Sequence, residues 1–289
     1  MKFLRQVLSI TELNLKNILQ RSGSSIVIVV GIAGSVAVMV SLLAMAEGLN
    51  STISSTGKDD RVIILREGAS SELGSGLAMS QVDIVANSPG IKSLEGEPLI
   101  SAEVFSIIDL KKKGAVATSN LPMRGVQPQS FMIRPEIQII KGRNFTSGTS
   151  EVIVGKGAHN QYENVEIGDE IKVRDSVATV VGIFSSGGNV HESEIWADLA
   201  TSQGIFRRGA SASSMIIQLE DSESFNDLGV YVESYPDFEF RVTREKDFYN
   251  DQASGSDLIK LSTVFPSVSY THLRAHETRG NLVCRLLLE

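Results

Sequence analysis

Cysteine is almost missing from this chain: the one present, Cys284, lies in its closing stretch. Without that stretch there is none, which suits an oxidising exterior without requiring one. Excess positive charge is missing too, since the net charge is −7. The N-terminal leader, Lys260 and the closing stretch are all net basic, so the region between them is more acidic still. A basic nucleic-acid footprint is therefore excluded, and no nucleic-acid partner is expected. Catalytic signatures are lacking as well. Gly155-Lys156-Gly157 resembles a phosphate loop only superficially, because the Gly-x-x-x-x-Gly-Lys-Ser/Thr spacing is absent. No Gly-x-Ser-x-Gly elbow occurs. His191, Glu192 and Glu194 follow a Gly-Gly pair with no second ligand cluster and no cysteine to complete a tetrahedral site. They read as a solvated loop. No catalytic, cofactor-binding or metal-ligating residue is assigned, no cofactor is expected, and the chain is not expected to be an enzyme.

Charge disappears altogether from Ser22 to Ala46. Within that stretch, Ile26 to Ala46 reads IVIVVGIAGSVAVMVSLLAMA, long enough for a bilayer core that needs about 20 apolar residues. A cleaved signal peptide has a shorter apolar core that follows a brief basic start. This run is longer and later, so it is expected to stay as a membrane helix. Gly31, Ala33, Gly34, Ser35 and Ala37 would let a neighbouring helix approach closely in lipid. Lys2, Arg5, Lys16 and Arg21 precede the run against Glu12 alone, and the nearest charge after it is Glu47. Positive charge stays inside, which puts the N-terminus in the cytoplasm and everything after Gly48 outside. Phe3, Val7, Ile10, Leu13 or Asn14, and Ile18 recur at roughly helical spacing, so the leader is expected to lie as an amphipathic helix on the inner membrane face, with lipid as its partner.

Beyond Gly48, strand-like and helical runs alternate, which predicts an α+β domain of two lobes. RVIILRE (61–67) is a strand candidate, followed by a Gly/Ser-rich loop; SQVDIVANSPG is a helix stopped at Pro89 and Gly90. PLISAEVFSIIDL and AVATSNLPMRGV read as paired strands around a KKKG turn, and EIQIIKG, EVIVGKG, EIKVRD and VATVVGIF continue the β pattern. After SEIWADL come a helix in LATSQGIFRRG, a strand in SSMIIQLED, a helix in SFNDLGVYVES and a last strand in FEFRVT. Gly142 and Gly168 are expected to supply backbone freedom at turns, with Asp169 bonding the backbone and Phe145 packing beneath its turn. Trp196 is expected in the core.

Five segments carry a resemblance, in this order and spacing: MRGV (123–126), IIKGRNF (139–145), EVIVGKGAHNQYENVEIGDEIKV (151–173), VVGIFSSGGNVHESEIWADLATSQGIF (180–206) and REKDFYNDQ (244–252). Together they resemble the periplasmic core domain of MacB/FtsX-type ABC transporter permeases, and LNLKNILQRSGSSIVIVVGIAG with LLAMAEGL resembles that family's N-terminus. The resemblance implies a permease subunit of the bacterial inner (cytoplasmic) membrane, driven by a separate ABC ATPase subunit. It also implies a second permease copy, as homodimer or heterodimer. Motion would pass to the outer domain, which would export or extract a substrate; a periplasmic adaptor or a lipoprotein substrate is the expected outer partner. Two other readings stay open: an FtsX-like regulator that activates an extracytoplasmic partner such as a cell-wall hydrolase, and a single-span anchored binding module.

In the resembled family a second membrane helix should begin at Ser256 to Phe265, yet the apolar run stops. VSYTHLRAHET and LVCRLLLE back-translate into codons resembling the two ends of a transposase sequencing adapter. His272, His276 and Cys284 therefore receive no functional reading. The expected organisation is a cytoplasmic leader at 1–22, a membrane helix at 23–47, the periplasmic core domain at 48–255, a truncated second helix at 256–266 and an adapter-derived tail at 267–289.

Overall fold

The structure, a computed structural model, describes residues 22–252. The leader, the start of the second helix and the adapter-like tail, with His272, His276 and Cys284, lie outside the described residues. The chain divides into two units, one reaching Asn50 and the other running from Ser51 to Ala253.

In the first unit the uncharged run is helical. One helix spans Ser22–Ser54, about 50 Å at 1.5 Å per residue. Ile26, Val29, Val30, Ile32, Val36, Val38 and Val40 are all exposed, so the helix is apolar all round. Such a surface belongs in lipid or in a large core. Its stretch Val29–Ile53 is long and apolar enough to cross a membrane.

The second unit is built on one mixed sheet of ten strands: β1 (Arg61–Arg66), β5 (Ile100–Lys111), β6 (Thr118–Val126), β7 (Gln138–Gly142), β8 (Glu151–Gly155), β9 (Glu170–Val173), β10 (Ser176–Ser185), β11 (Ile195–Asp198), β13 (Ser214–Gln218) and β14 (Phe240–Arg244). Their order is β14-β1-β13-β5-β6-β11-β8-β10-β7, with β9 pairing β10. Two-residue strands complete two small ribbons: β2 (Leu77–Ala78) pairs β12 (Ser211–Ala212), and β3 (Ser93–Leu94) pairs β4 (Glu97–Pro98). The long β5–β6 hairpin is in antiparallel register from Glu103↔Val126 to Lys111↔Thr118, around the expected KKKG turn. Helices fall at Met79–Val85, Gln129–Ile133, Lys156–Gln161, Leu199–Ile205 and Ser224–Glu233, and a last one occupies 245–252.

Alternation along the strands fills both faces. Val62 and Ile64 of β1, Met215 and Ile217 of β13, Val152 and Val154 of β8, and Ile195 and Ala197 of β11 join one large cluster. Their alternates go to the other face. Ile63, Leu65 and Ile216 pack with Phe248 and Tyr249, while Ile153, Phe184 and Trp196 pack with Val126, Ile137 and Phe145. Trp196 is fully buried and Phe145 is buried, as their sequence contexts predict. Gly142 and Gly168 both take positive φ, at +71° and +96°. The Asp169 carboxylate accepts from the Glu166 amide at 2.9 Å.

Candidate functional site

The second face also receives charge. Arg124 sits on β6 beside Trp196 of β11 and Phe105 of β5 in register. The alternation that sends Met123 to the large cluster turns Arg124 to the opposite face, the same one that Glu103 takes on β5. Arg124 is 1% exposed, and Glu72, Glu103 and Glu194 beside it are buried. An isolated ion there would cost many kcal/mol, so each needs a partner with good geometry.

The partners are present. Arg124 Nη1 and Nη2 donate to the two oxygens of Glu72 at 2.6 and 2.9 Å. Its Nε and Nη2 donate to Glu194 at 2.9 Å each, and Nη1 also donates to Glu103 at 2.8 Å. The guanidinium fork is matched to carboxylates on both edges. Its plane lies over the Phe105 ring, 5.0 Å from the centroid. Trp196 Nε1 donates to Glu194 at 2.7 Å, and the Ser214 hydroxyl donates to Glu72 at 2.7 Å.

From Glu103 the chain of charges continues. Arg134, which ends the Gln129–Ile133 helix, donates to Glu103 at 2.5 Å, and the Ser130 hydroxyl donates to the same oxygen at 2.9 Å. Arg134 Nε lies 3.5 Å from Glu245, which lies 3.5 Å from Arg61. Arg61 in turn makes a two-pronged pair with Glu136 at 2.6 and 2.8 Å. Three buried arginines thus link four buried glutamates, and Glu136 closes the series near the surface.

Burial and pairing oppose one another at each group. Burial pushes the Glu103 and Glu194 carboxyls up, but Arg134 and Arg124 at the first, and Arg124 and His191 at the second, hold both below the usual carboxylate range. Burial would lower Arg124, but Glu194, Glu72 and Glu103 raise it well above its ordinary value. Glu103, Glu194 and Arg124 are therefore charged at neutral pH. Such a cluster is seldom the cheapest way to fill a core, since apolar residues of equal volume are often as stable or more so. Its use must be sought in what it joins.

The histidine–glutamate stretch read as a solvated loop is a correction. Val190–Ser193 is a tight 3-10 turn, His191 is fully buried and Glu194 is buried. Glu194 can leave water because Arg124 meets it, and nothing within the loop itself signals that partner. His191 Nδ1 lies 3.3 Å from Glu194, and its ring stands edge-on to Trp196 and Tyr249 at 5.5 and 6.2 Å. Glu192 folds back on its own loop, accepting from the Ser185 hydroxyl at 2.6 Å and from the amides of Ser186 and Gly188 at 2.9 and 3.0 Å. Gly187 and Gly188 take positive φ there. Among the described residues, no three His, Cys, Asp or Glu side chains are grouped to hold a metal ion.

The unit's two chain ends meet beside this network. Ile53 packs on the cluster that contains Phe248 and Tyr249. The Val190 amide donates to the Thr56 hydroxyl at 3.2 Å. A Cβ built on Gly57 would lie 2.3 Å from Lys246 Cα, so backbone rests directly on backbone. The Lys58 amide donates to Glu245 at 3.2 Å. A separate open groove of about 740 Å³ lies between the Ser224–Glu233 helix, β14 and the 67–70 loop; no network residue lines it.

A family model described as the MacB-like periplasmic core domain matches residues 25–234. Among solved structures, the periplasmic region of MacB from Actinobacillus actinomycetemcomitans is 14% identical, with a TM-score of 0.48, over 70% of this chain and 92% of its own. The extracellular domain of the noncanonic ABC-type transporter YknZ from Gram-positive bacteria is 13% identical, also with a TM-score of 0.48, over 64% of this chain and 100% of its own. No curated protein matches the chain.

Proposed function

Because the chain belongs to the family of MacB-like periplasmic core domains, the domain of ABC-type transporter permeases, we propose that it is the anchored part of a permease subunit that works as a mechanical transmitter. The Ser22–Ser54 helix crosses the bacterial inner membrane with its N-terminus in the cytoplasm, and the unit from Ser51 on is periplasmic. A separate ABC ATPase hydrolyses ATP, a second permease copy completes the transporter, and the basic leader rests on lipid. Movement of the membrane helices reaches the outer unit, which exports or extracts its substrate; an adaptor or a lipoprotein is the partner on that side.

The observation that carries this reading is the meeting of the unit's two ends. Chain arriving from the apolar helix at Gly57 and chain leaving through 245–252 touch backbone to backbone, and both run into the buried charges. Ends held together in this way turn a displacement of either one into a displacement of the rigid sheet. Phosphate-loop spacing is absent from this sequence, which fits a separate ATPase as the source of the energy.

Affinity purification of the full-length permease from its own host, with its neighbouring genes intact, tests the proposal. A phosphate-loop ATPase should copurify and account for all ATP hydrolysis, while this chain alone binds no ATP. Appreciable hydrolysis by the purified chain, or recovery of the full-length protein without any ATPase, would overturn it.

A further inference from the structure

Glu245 is held unlike the other buried carboxylates. It is fully buried, yet its contacts are long: 3.2 Å to the Lys58 amide, 3.5 Å to Arg61 Nη1 and 3.5 Å to Arg134 Nε. Around Arg124 the corresponding distances run from 2.6 to 2.9 Å. Among the described residues, Glu245 Oε1, Arg134 Nε and Arg61 Nε all lack a hydrogen-bond partner. An unpartnered acceptor and an unpartnered donor thus face each other across 3.5 Å, just beyond the 2.7–2.9 Å of a charge-assisted hydrogen bond. Buried groups left in this way favour any movement that brings them together.

The place of this gap gives it meaning. Glu245 begins the outgoing helix and sits where the incoming backbone at Gly57 presses on Lys246. Arg61 belongs to β1, the first strand of the sheet, and Arg134 leads through Glu103 to Arg124. The carboxylate therefore stands between both chain ends and the rest of the charge network. On the exposed side, Lys246 pairs with Asp59 at 2.8 Å, a second, solvent-screened link between the same two segments.

We propose that Glu245 is a releasable clasp, a strap poised to close, which tightens onto Arg134 and Arg61 when the two chain ends shift together and loosens when they part. The proposal rests on the transmitter reading above and names the residues through which the force passes. Three formal charges take part: the Glu245 carboxylate and the guanidinium groups of Arg134 and Arg61. Tyr249, Glu136, Glu103, Lys58, Asp59 and Lys246 are the other ionisable groups close by on the packed segments. No bond is made or broken covalently, and the step is a change of hydrogen-bond partners.

The test is amide hydrogen exchange on the full chain in detergent micelles, comparing the natural protein with Glu245→Gln, which keeps the shape and removes the charge. In the variant, exchange at 57–61 and 245–249 should rise by about tenfold or more, while the amides of β5, β6 and β8 stay unchanged, the signature of a local opening. Unchanged exchange at those two segments, or an equal rise everywhere, overturns the clasp. Should Glu245→Gln not fold, an Asp59→Cys, Lys246→Cys pair serves in its place. Oxidation of that pair should slow exchange at 57–61 relative to the reduced form, and equal exchange in both forms overturns the clasp. Neither readout needs ATP, a partner or a substrate. Failure here therefore leaves the transmitter reading standing, and loss of the ATPase partner leaves the clasp standing.

Discussion

Arg124 and Glu194 lie seventy positions apart and are joined by two parallel hydrogen bonds of 2.9 Å inside the core. The pair links β6 to the turn before β11, across strands already parallel in register. It fixes the 186–194 loop against the sheet, and through Val190 that loop reaches Thr56 near the start of the second unit. Removing the arginine leaves Glu194 buried without its cation. Arg124→Ala leaves Glu72 and Glu194 without a guanidinium and Glu103 with Arg134 alone, so it should lower unfolding stability by about 3–5 kcal/mol, read as a drop in the urea midpoint of the excised unit 51–252. Arg124→Lys should recover little of this, because an ammonium cannot reach two carboxylates edge-on. A stability within about 0.5 kcal/mol of the natural unit, as for an ordinary surface change, would show that the network is incidental.

Acid should weaken the same unit. Glu103 and Glu194 are held below their ordinary value of 4.5 in the folded state, and Glu151, on the exposed side with Arg143, is lowered to about 2. A depressed folded pKa means that the unfolded chain takes up protons first. The stabilisation is therefore complete above 4.5 and is lost as the pH falls through the folded values. The buried pair supplies most of it, since solvent screens the Arg143–Glu151 contact. Urea midpoints should be level from about pH 7 to 5 and fall steadily below 4.5, with a shallower fall in Glu194→Gln. A midpoint that holds to about pH 3 would contradict the charge assignment.

The periodic part of this molecule was legible in its sequence. Val62, Ile63, Ile64 and Leu65 announce a strand buried on both faces, and the runs either side of KKKG announce the β5–β6 hairpin. Gly142 and Gly168 mark turns that need positive φ. What could not be read was anything resting on distant partners. Arg61 and Glu136 meet across 75 positions, and Arg124 meets Glu72 across 52; neither spacing leaves a local pattern. The same blindness put His191 and Glu194 in solvent, since a charged loop beside two glycines is ordinarily wet. The single available signal was Trp196 two residues on, whose indole N–H needs a partner once buried. The two-residue strands β2, β3, β4 and β12 are too short for a period to show.

Orientation can be tested independently of folding energetics. Lys2, Arg5, Lys16 and Arg21 precede the apolar helix, and the first charge after Ser22 is Glu47, so positive-inside placement leaves Asp221 outside. Alkaline phosphatase fused after Asp221 should be active and green fluorescent protein at the same point dark, with the opposite pattern for fusions before Phe3. Fluorescence at Asp221 would reverse the assignment.

Close packing behind the buried loop yields the last expectation. Gly155 ends β8, and its amide donates to the Glu194 carbonyl at 2.9 Å. A Cβ added there would lie 2.3 Å from the Glu192 carbonyl oxygen, a backbone atom that cannot rotate away. Its φ is ordinary for any residue, so the cost of Gly155→Ala is the clash alone and not backbone strain. Overpacking of this kind costs roughly 1–3 kcal/mol. The loop should move rather than the sheet, because Val152, Ile153 and Val154 are locked between two strands. Movement of Glu192 would loosen its hold on Ser186 and Gly188, and hydrogen exchange at those amides should rise by more than the exchange of β8. Equal effects at both places would mean that the loop and the strand open together. Retention of natural stability in Gly155→Ala would mean that the close approach of Gly155 to Glu192 is not maintained in solution.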